Sequence, residues 1–199
     1  MTELNPTKKA LAASMKKLML KKPFDKVSVS DICNGCGINR KSFYYHFRDK
    51  YDLANWIFYT AFMEEIGPDC PAQGWDLLRR ICRFFYADRA FYRSALSYEG
   101  QNSLRAYITE ILHPMSAGFF QEIFPDYEED SFTGIFLTDS LLFSITRWLG
   151  GGYGSELDAD AFLSRVEVIV VRIADSLEAK GDLTAPQMAD KEAPSQTER

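Results

Sequence analysis

The sequence predicts an all-α fold. Three observations carry this expectation. Apolar residues recur at helical spacing from residue 6 onward. Asn5, Ser28, Asn39 and Asp49 stand where such runs begin, as helix-capping residues do. No segment carries a hairpin signal, and no internal repeat is visible.

Asn5 followed by Pro6 is a cap-then-first-turn start. Leu11, Met15, Leu18 and Met19 then form one apolar stripe, and Lys21-Lys22-Pro23 stops the helix. Ser28, with Asp31 three residues on, opens a second helix in the manner of a capping box. Asn39 caps a third. Asp49 and Asp52 open a fourth, which runs through Leu53, Trp56, Ile57 and Met63 to about Gly67-Pro68. Helical patterns follow at Leu77–Tyr86, Ala90–Leu96, roughly Asn102–Phe124, Asp126–Leu149 and Asp158–Ala179. From about Gly181 the chain lacks aromatics and is rich in Ala, Pro, Gln, Glu and Ser, as disordered tails are. The expected division is a head at residues 1–50, a helical body at 51–180 and a disordered tail at 181–199.

At 199 residues, 46% hydrophobic and 26% charged, the chain has the composition of a globular protein with a proper core. No apolar run approaches the ~20 residues of a membrane span, and no cleavable signal opens the chain. A cytoplasmic protein without a membrane partner is expected. The net charge of -5 hides a division: residues 1–50 hold 11 Lys/Arg against 4 Asp/Glu, and residues 51–199 hold 12 against 24. A basic head on an acidic body points to a polyanion partner for the head alone.

The run from Ser28 to Phe47 reads as a helix-turn-helix, two short helices meeting at a turn where Gly37 supplies positive φ. On the second helix Phe43 and Phe47 should turn inward with Ile38. Arg40 and Tyr44, and Lys41 and Tyr45, are i, i+4 pairs on the outward face. Arg and Lys suit guanine O6 and N7, and Asn suits adenine. The tyrosine hydroxyls and His46 suit phosphates, as do Ser28 and Lys50 at helix starts.

These residues carry a resemblance. The order Ser28-Val29-x-Asp31-Ile32, then Gly37-Ile38-Asn39, then Phe43-Tyr44-x-His46-Phe47, then Lys50-x-x-Leu53 resembles the TetR (tetracycline-repressor-like) family of bacterial transcriptional regulators over roughly residues 7–54. The resemblance implies an N-terminal three-helix DNA-binding domain on an all-helical ligand-binding and dimerisation bundle. It implies Ser28, Asn39, Arg40, Lys41, Tyr44, Tyr45, His46 and Lys50 as DNA contacts. The family often has a small residue where Lys41 stands, which implies a different base readout there. Ser97-Tyr98-Glu99-Gly100-Gln101-Asn102 and Arg147-Trp148-Leu149-Gly150-Gly151-Gly152 are similar to a branch related to activators of dihydroxyacetone-kinase operons. That likeness implies a kinase-like protein effector.

Elsewhere the bland readings prevail. Cys33 and Cys36 have redox or zinc spacing, but they straddle a helix-to-turn junction and serve as small hydrophobes. Four cysteines in this context argue against a disulfide framework. The stretch Gly150–Gly154 lacks the ending of a phosphate-binding loop and follows a helix, so it is an interhelical linker. Glu128-Glu129-Asp130 suits a helix start, and His113 before Pro114 suits a loop or kink. The body's many aromatics are mostly core, with Tyr98, Glu99, Asn102, Arg105 and Tyr107 as polar handles of a candidate effector pocket. No catalytic arrangement, metal-ligand set or dinucleotide fingerprint is visible, so neither an enzyme nor a cofactor is expected.

The helices at Asp126–Leu149 and Asp158–Ala179 are apolar on more than one side, as a two-fold four-helix interface requires. A homodimer would present two recognition helices to successive major grooves, roughly 34–36 Å apart. The expected function is a DNA-binding regulator on a pseudo-palindromic operator, its affinity modulated through the body by a small-molecule or protein effector. Repression is the first reading. The alternative is an activator or adaptor controlled by a metabolic protein partner.

Overall fold

Asn5 opens the first helix as its side chain implies: Oδ1 accepts the Thr7 N–H at 2.9 Å, and α1 spans Pro6–Met19. The computed structural model describes residues 5–67, 74–98, 100–123, 131–153 and 157–178. The expected tail from 181, Glu99, Pro68, Cys70 and the acidic Glu128-Glu129-Asp130 start lie outside the described residues. Among the described residues every regular element is helical.

Leu11, Met15 and Met19 line the buried side of α1, which packs on α2 (Val29–Cys36) and α4 (Lys50–Ile66). A short 3-10 turn at Phe24–Lys26 joins α1 to α2, and α3 spans Arg40–His46. Asp49 starts α4 by accepting the Tyr51 and Asp52 N–H groups on Oδ1, both at 2.8 Å. Leu53, Ile57, Phe58, Phe62 and Ile66 are all buried along α4, which carries the core from head to body.

The body follows as α5 (Gly74–Ala87), α6 (Arg89–Leu96), α7 (Leu104–Ile123), α8 (Ser131–Leu149) and α9 (Ala159–Glu178). α5 starts three residues before the periodicity of Leu77–Tyr86 suggests. Pro114 lies inside α7 rather than in a loop, where it lacks the N–H that would bond one turn back. Phe58, Phe62, Phe84, Phe85 and Tyr92 form one aromatic centre, with Phe85 and Tyr92 edge-to-face at 4.9 Å. A second stack sets Trp148 on Phe162 at 4.3 Å with Tyr86 on its other face, and the indole N–H donates to the Leu157 carbonyl at 2.8 Å. Arg83 grips Asp160 through two bonds of 3.1 and 2.8 Å, tying α5 to α9.

The glycine run after α8 is a helix stop, as expected. Gly152 N–H bonds the Arg147 carbonyl and Gly151 N–H the Trp148 carbonyl, both at 2.9 Å, with Gly151 at φ 79. This is a Schellman ending, which uses the carbonyls a helix end would leave unpaired. By contrast α8 and α9 keep large apolar side chains in solvent, including Phe132, Phe136 and Phe143 on α8 and Val168, Ile169 and Ile173 on α9.

Candidate nucleic-acid interface

Reciprocal bonds fix the start of α2. Ser28 Oγ accepts the Asp31 N–H at 3.1 Å, while Asp31 Oδ2 accepts the Ser28 N–H at 2.9 Å and its hydroxyl at 2.7 Å. Lys22 adds a 2.7 Å bond to the same carboxylate oxygen. With its hydrogen bond to Lys22 first and those to Ser28 next, Asp31 is held well below the usual carboxylate range. Gly37 ends α2 in the left-handed conformation at φ 69, and Ile38 N–H reaches back to the Cys33 carbonyl at 3.1 Å. Gly35 sits so close to α1 that a Cβ there would collide with Ser14 Oγ, which donates to the Ile32 carbonyl at 2.7 Å. A tight α1–α2 contact and a glycine-driven turn thereby set the angle at which α3 leaves the head.

Asn39 caps α3 by accepting the Ser42 N–H on Oδ1 at 2.8 Å. Phe43 and Phe47 are buried at 0% and 3% exposure, so the inner side of α3 is sealed. Ile38 is half-buried and packs against the same core. The outer side is the reverse: Arg40 and Lys41 are exposed, Tyr44 is 50% exposed and Tyr45 84%. Arg40 Nη2 donates to the Tyr44 hydroxyl at 3.3 Å, one turn along the helix. His46 is half-buried, with its ring against Tyr45 at 4.9 Å.

Ser28 and Lys50, two of the eight candidate contacts, are bonded within the head. The Ser28 hydroxyl both donates to and accepts from Asp31. The Lys50 ammonium donates to the carbonyls of Phe24, Asp25 and Val27 at 2.8, 3.0 and 2.8 Å. That uses all three of its N–H groups. In the chain without DNA, Lys50 thus ties the 3-10 turn to the start of α4. Burial moves its pKa down, as a charge drawn off the surface should.

Two family models match separate parts of the chain. Residues 11–56 match the model for bacterial regulatory proteins of the tetR family, and residues 75–158 match a transcriptional regulator C-terminal region. The chain belongs to the TetR family of bacterial regulatory proteins. A curated relative from Lactococcus lactis subsp. lactis (strain IL1403), the HTH-type dhaKLM operon transcriptional activator DhaS, is 33% identical over 88 residues. That match spans 44% of this chain and 47% of the relative's length. The solved structure of a dihydroxyacetone kinase operon activator DhaS superposes with TM-score 0.59 at 19% identity, covering 86% of this chain and 97% of that one. A structure described as a TetR-family regulator from Syntrophomonas wolfei superposes with TM-score 0.60 at 12% identity, covering 89% and 97%. At such identities these two likenesses speak for the fold.

In this TetR-family chain Tyr98, Asn102, Arg105 and Tyr107, four of the five candidate effector residues, stand at three places, and Glu99 lies outside the described residues. Tyr98 stacks on Tyr51 at 5.0 Å and meets the edge of Phe24 at 6.0 Å, so it belongs to the junction between head and body. The same junction holds the Phe24 N–H bond to Ser94 Oγ at 3.1 Å and the Lys16–Asp88 pair at 2.5 Å. Arg105 reaches the Leu96 carbonyl at 3.4 Å and lies over the Phe143 ring at 5.8 Å. Asn102 and Tyr107 line a polar cavity with Asp52 and Asn55. The larger cavity, about 620 Å³, lies elsewhere among α5, α7, α8 and α9, walled by Leu78, Phe120, Phe136, Leu141, Phe162 and Val166. Its lining is spread over four helices, and each residue alone looks like core filler. Arg165 is the charged side chain at its wall.

Cys33 is buried, and burial raises its pKa. The Cys36 thiol donates to the Ile32 carbonyl at 3.2 Å. Among the described residues no three His, Cys, Asp or Glu side chains gather as metal ligands would, and no helix is long and apolar enough to cross a membrane.

Proposed function

We propose that this chain is a dimeric, operator-binding transcriptional regulator of the cytoplasm, reading DNA with residues 1–50 and dimerising and receiving its effector through residues 51–180. The observation that carries this reading is the outer face of α3, where Arg40, Lys41, Tyr44 and Tyr45 stand in solvent while Phe43 seals the inner face. A helix of this width fits a major groove, where Arg40 and Lys41 reach base edges. Asn39 offers its amide N–H groups, since Oδ1 is engaged as the cap. Tyr44, Tyr45 and His46 meet phosphates, and Ser28 supports the free N–H groups at the start of α2 near the backbone. The solvent-exposed apolar stripes of α8 and α9 are the face a second copy covers. The 620 Å³ cavity beside them is the place for an apolar effector.

The test is a titration of the protein onto its own upstream intergenic DNA beside scrambled DNA. Salt is held at about 0.15 M, because phosphate contacts make affinity steeply salt-dependent. Tight binding to the cognate fragment alone supports the reading. Equally weak binding to both fragments, at a concentration where sedimentation shows a dimer, overturns it.

Activation of transcription is a second reading, favoured by the relative described as a dhaKLM operon transcriptional activator. Transcription from the bound fragment decides the sign: protein that raises the transcript yield activates, and protein that lowers it represses.

A further inference from the structure

One charged side chain stands among the apolar walls of the 620 Å³ cavity, and it is a cation. The body around it is acidic, with 24 Asp/Glu against 12 Lys/Arg over residues 51–199. Yet among the described lining residues none is Asp or Glu, and Arg165 is the one Lys or Arg. Arg165 is exposed and makes no hydrogen bond or ion pair among the described residues. Its guanidinium stays charged at any ordinary pH and has N–H donors to give.

The cavity has a polar end. Trp148 stacks on Phe162 at 4.3 Å and so joins the end of α8 to the start of α9. Ser144 stands one turn before Trp148, and Arg165 one turn after Phe162. Tyr153 meets the Phe162 ring at 6.2 Å, just beyond the glycine ending of α8. From Arg165 the α9 wall continues through Val166, Ile169, Val170 and Ile173, all apolar. Arg165 to Ile173 is about 12 Å along the helix at a rise of about 1.5 Å per residue. An extended chain advances about 1.2 Å per bond, since three backbone bonds cover about 3.6 Å. Ten carbons in line therefore span about 11 Å.

A ligand that answers these features has a slender apolar body and one anionic head. We propose that this cavity binds a fatty-acid-like monocarboxylate of about ten carbons, its carboxylate on Arg165 and its chain along the α9 wall. A ligand without charge leaves the guanidinium unanswered, and a cationic head is repelled by it. A second carboxylate at the far end would lie unpaired on apolar walls. The proposal rests on the reading of this cavity as the effector site and adds the chemistry of the effector.

The experiment is calorimetric titration of the full chain with decanoate, octanoate and decan-1-ol at neutral pH and fixed ionic strength. Saturable decanoate binding is expected at a Kd of about 10 μM or tighter. Each buried CH₂ contributes about fourfold, so octanoate should bind about tenfold more weakly. Decan-1-ol keeps the chain and lacks the charge, and should also bind about tenfold more weakly. Arg165→Gln should close that gap by weakening decanoate alone. Arg93→Gln removes the same charge from an exposed site of α6 outside the cavity and should leave decanoate affinity unchanged. Both positions are exposed, so both variants should unfold at the parent midpoint. Absence of saturable decanoate binding, the result if side chains of a second copy fill the cavity, overturns the proposal. So does equal binding of the alcohol, or equal loss of acid and alcohol in Arg165→Gln, the result if Arg165 lends the wall only its apolar stem. Decanoate that binds as expected yet leaves operator affinity unchanged refutes the effector reading and supports the ligand site.

Discussion

Lys50→Met removes an ammonium and keeps most of its apolar stem, and the two readings of that residue predict opposite results. In the structure the three ammonium bonds go to the Phe24, Asp25 and Val27 carbonyls. The charge also lies 4.9 Å from the Phe24 ring centre and 5.3 Å from that of Tyr51. A hydrogen bond to a charged group contributes about 1.5–3 kcal/mol. The three share one ammonium, however, and the bond to the Asp25 carbonyl is exposed, so water replaces it in the variant. Drawing the charge off the surface offsets a further part, consistent with its lowered pKa. The expected net loss is about 3 kcal/mol, or about 6–12 °C in Tm for a chain of this size. Urea unfolding should show a lower midpoint with an unchanged slope. The folded variant should then bind operator DNA with the parent's salt dependence. If the unfolding midpoint stays put and the salt slope falls by about one, Lys50 is a phosphate contact and not a tie between the 3-10 turn and α4.

Arg40→Ala should weaken operator binding by about 1–3 kcal/mol and relax preference at one base position, whereas Tyr44→Ala should weaken all sequences alike; selection of binding sites with each variant checks this. Gly151→Ala forces a Cβ into φ 79 and should cost about 1–2 kcal/mol in urea unfolding. No loss there would mean that the α8 ending rearranges freely. The hydrogen bond to Tyr98, with burial behind it, pushes Tyr51 up to about 12. The fold favours its protonated form, so this contribution is intact below the ordinary tyrosine value of about 10 and is lost as pH rises toward 12. Tyr51→Phe should remove that step from alkaline unfolding, and an identical alkaline midpoint in parent and variant would refute it.

The head was legible because its signals are local. A Ser28–Asp31 capping box, a left-handed Gly37 and the i, i+4 pairs of α3 are each decided within a few residues of chain. Burial of Phe43 beneath exposed Tyr45 follows from helical spacing alone. The body was legible as helices. Tyr98, Arg105 and Tyr107 are near in sequence, yet Tyr98 follows α6 and packs at the head–body junction, while α7 turns Arg105 and Tyr107 toward different neighbours.

By itself, then, the sequence determined the helical class, the starts of the four head helices and the solvent-facing side of α3, because backbone hydrogen bonds and side-chain periodicity act over a turn or two. Tertiary structure alone decided that Lys50 points at three carbonyls instead of solvent, and that Tyr98 seals the head–body junction. It also decided that the large cavity opens among α5, α7, α8 and α9. Each of these depends on where residues distant in the chain come to rest, and hydrophobic packing, which is non-directional, leaves no periodic trace of that in the sequence.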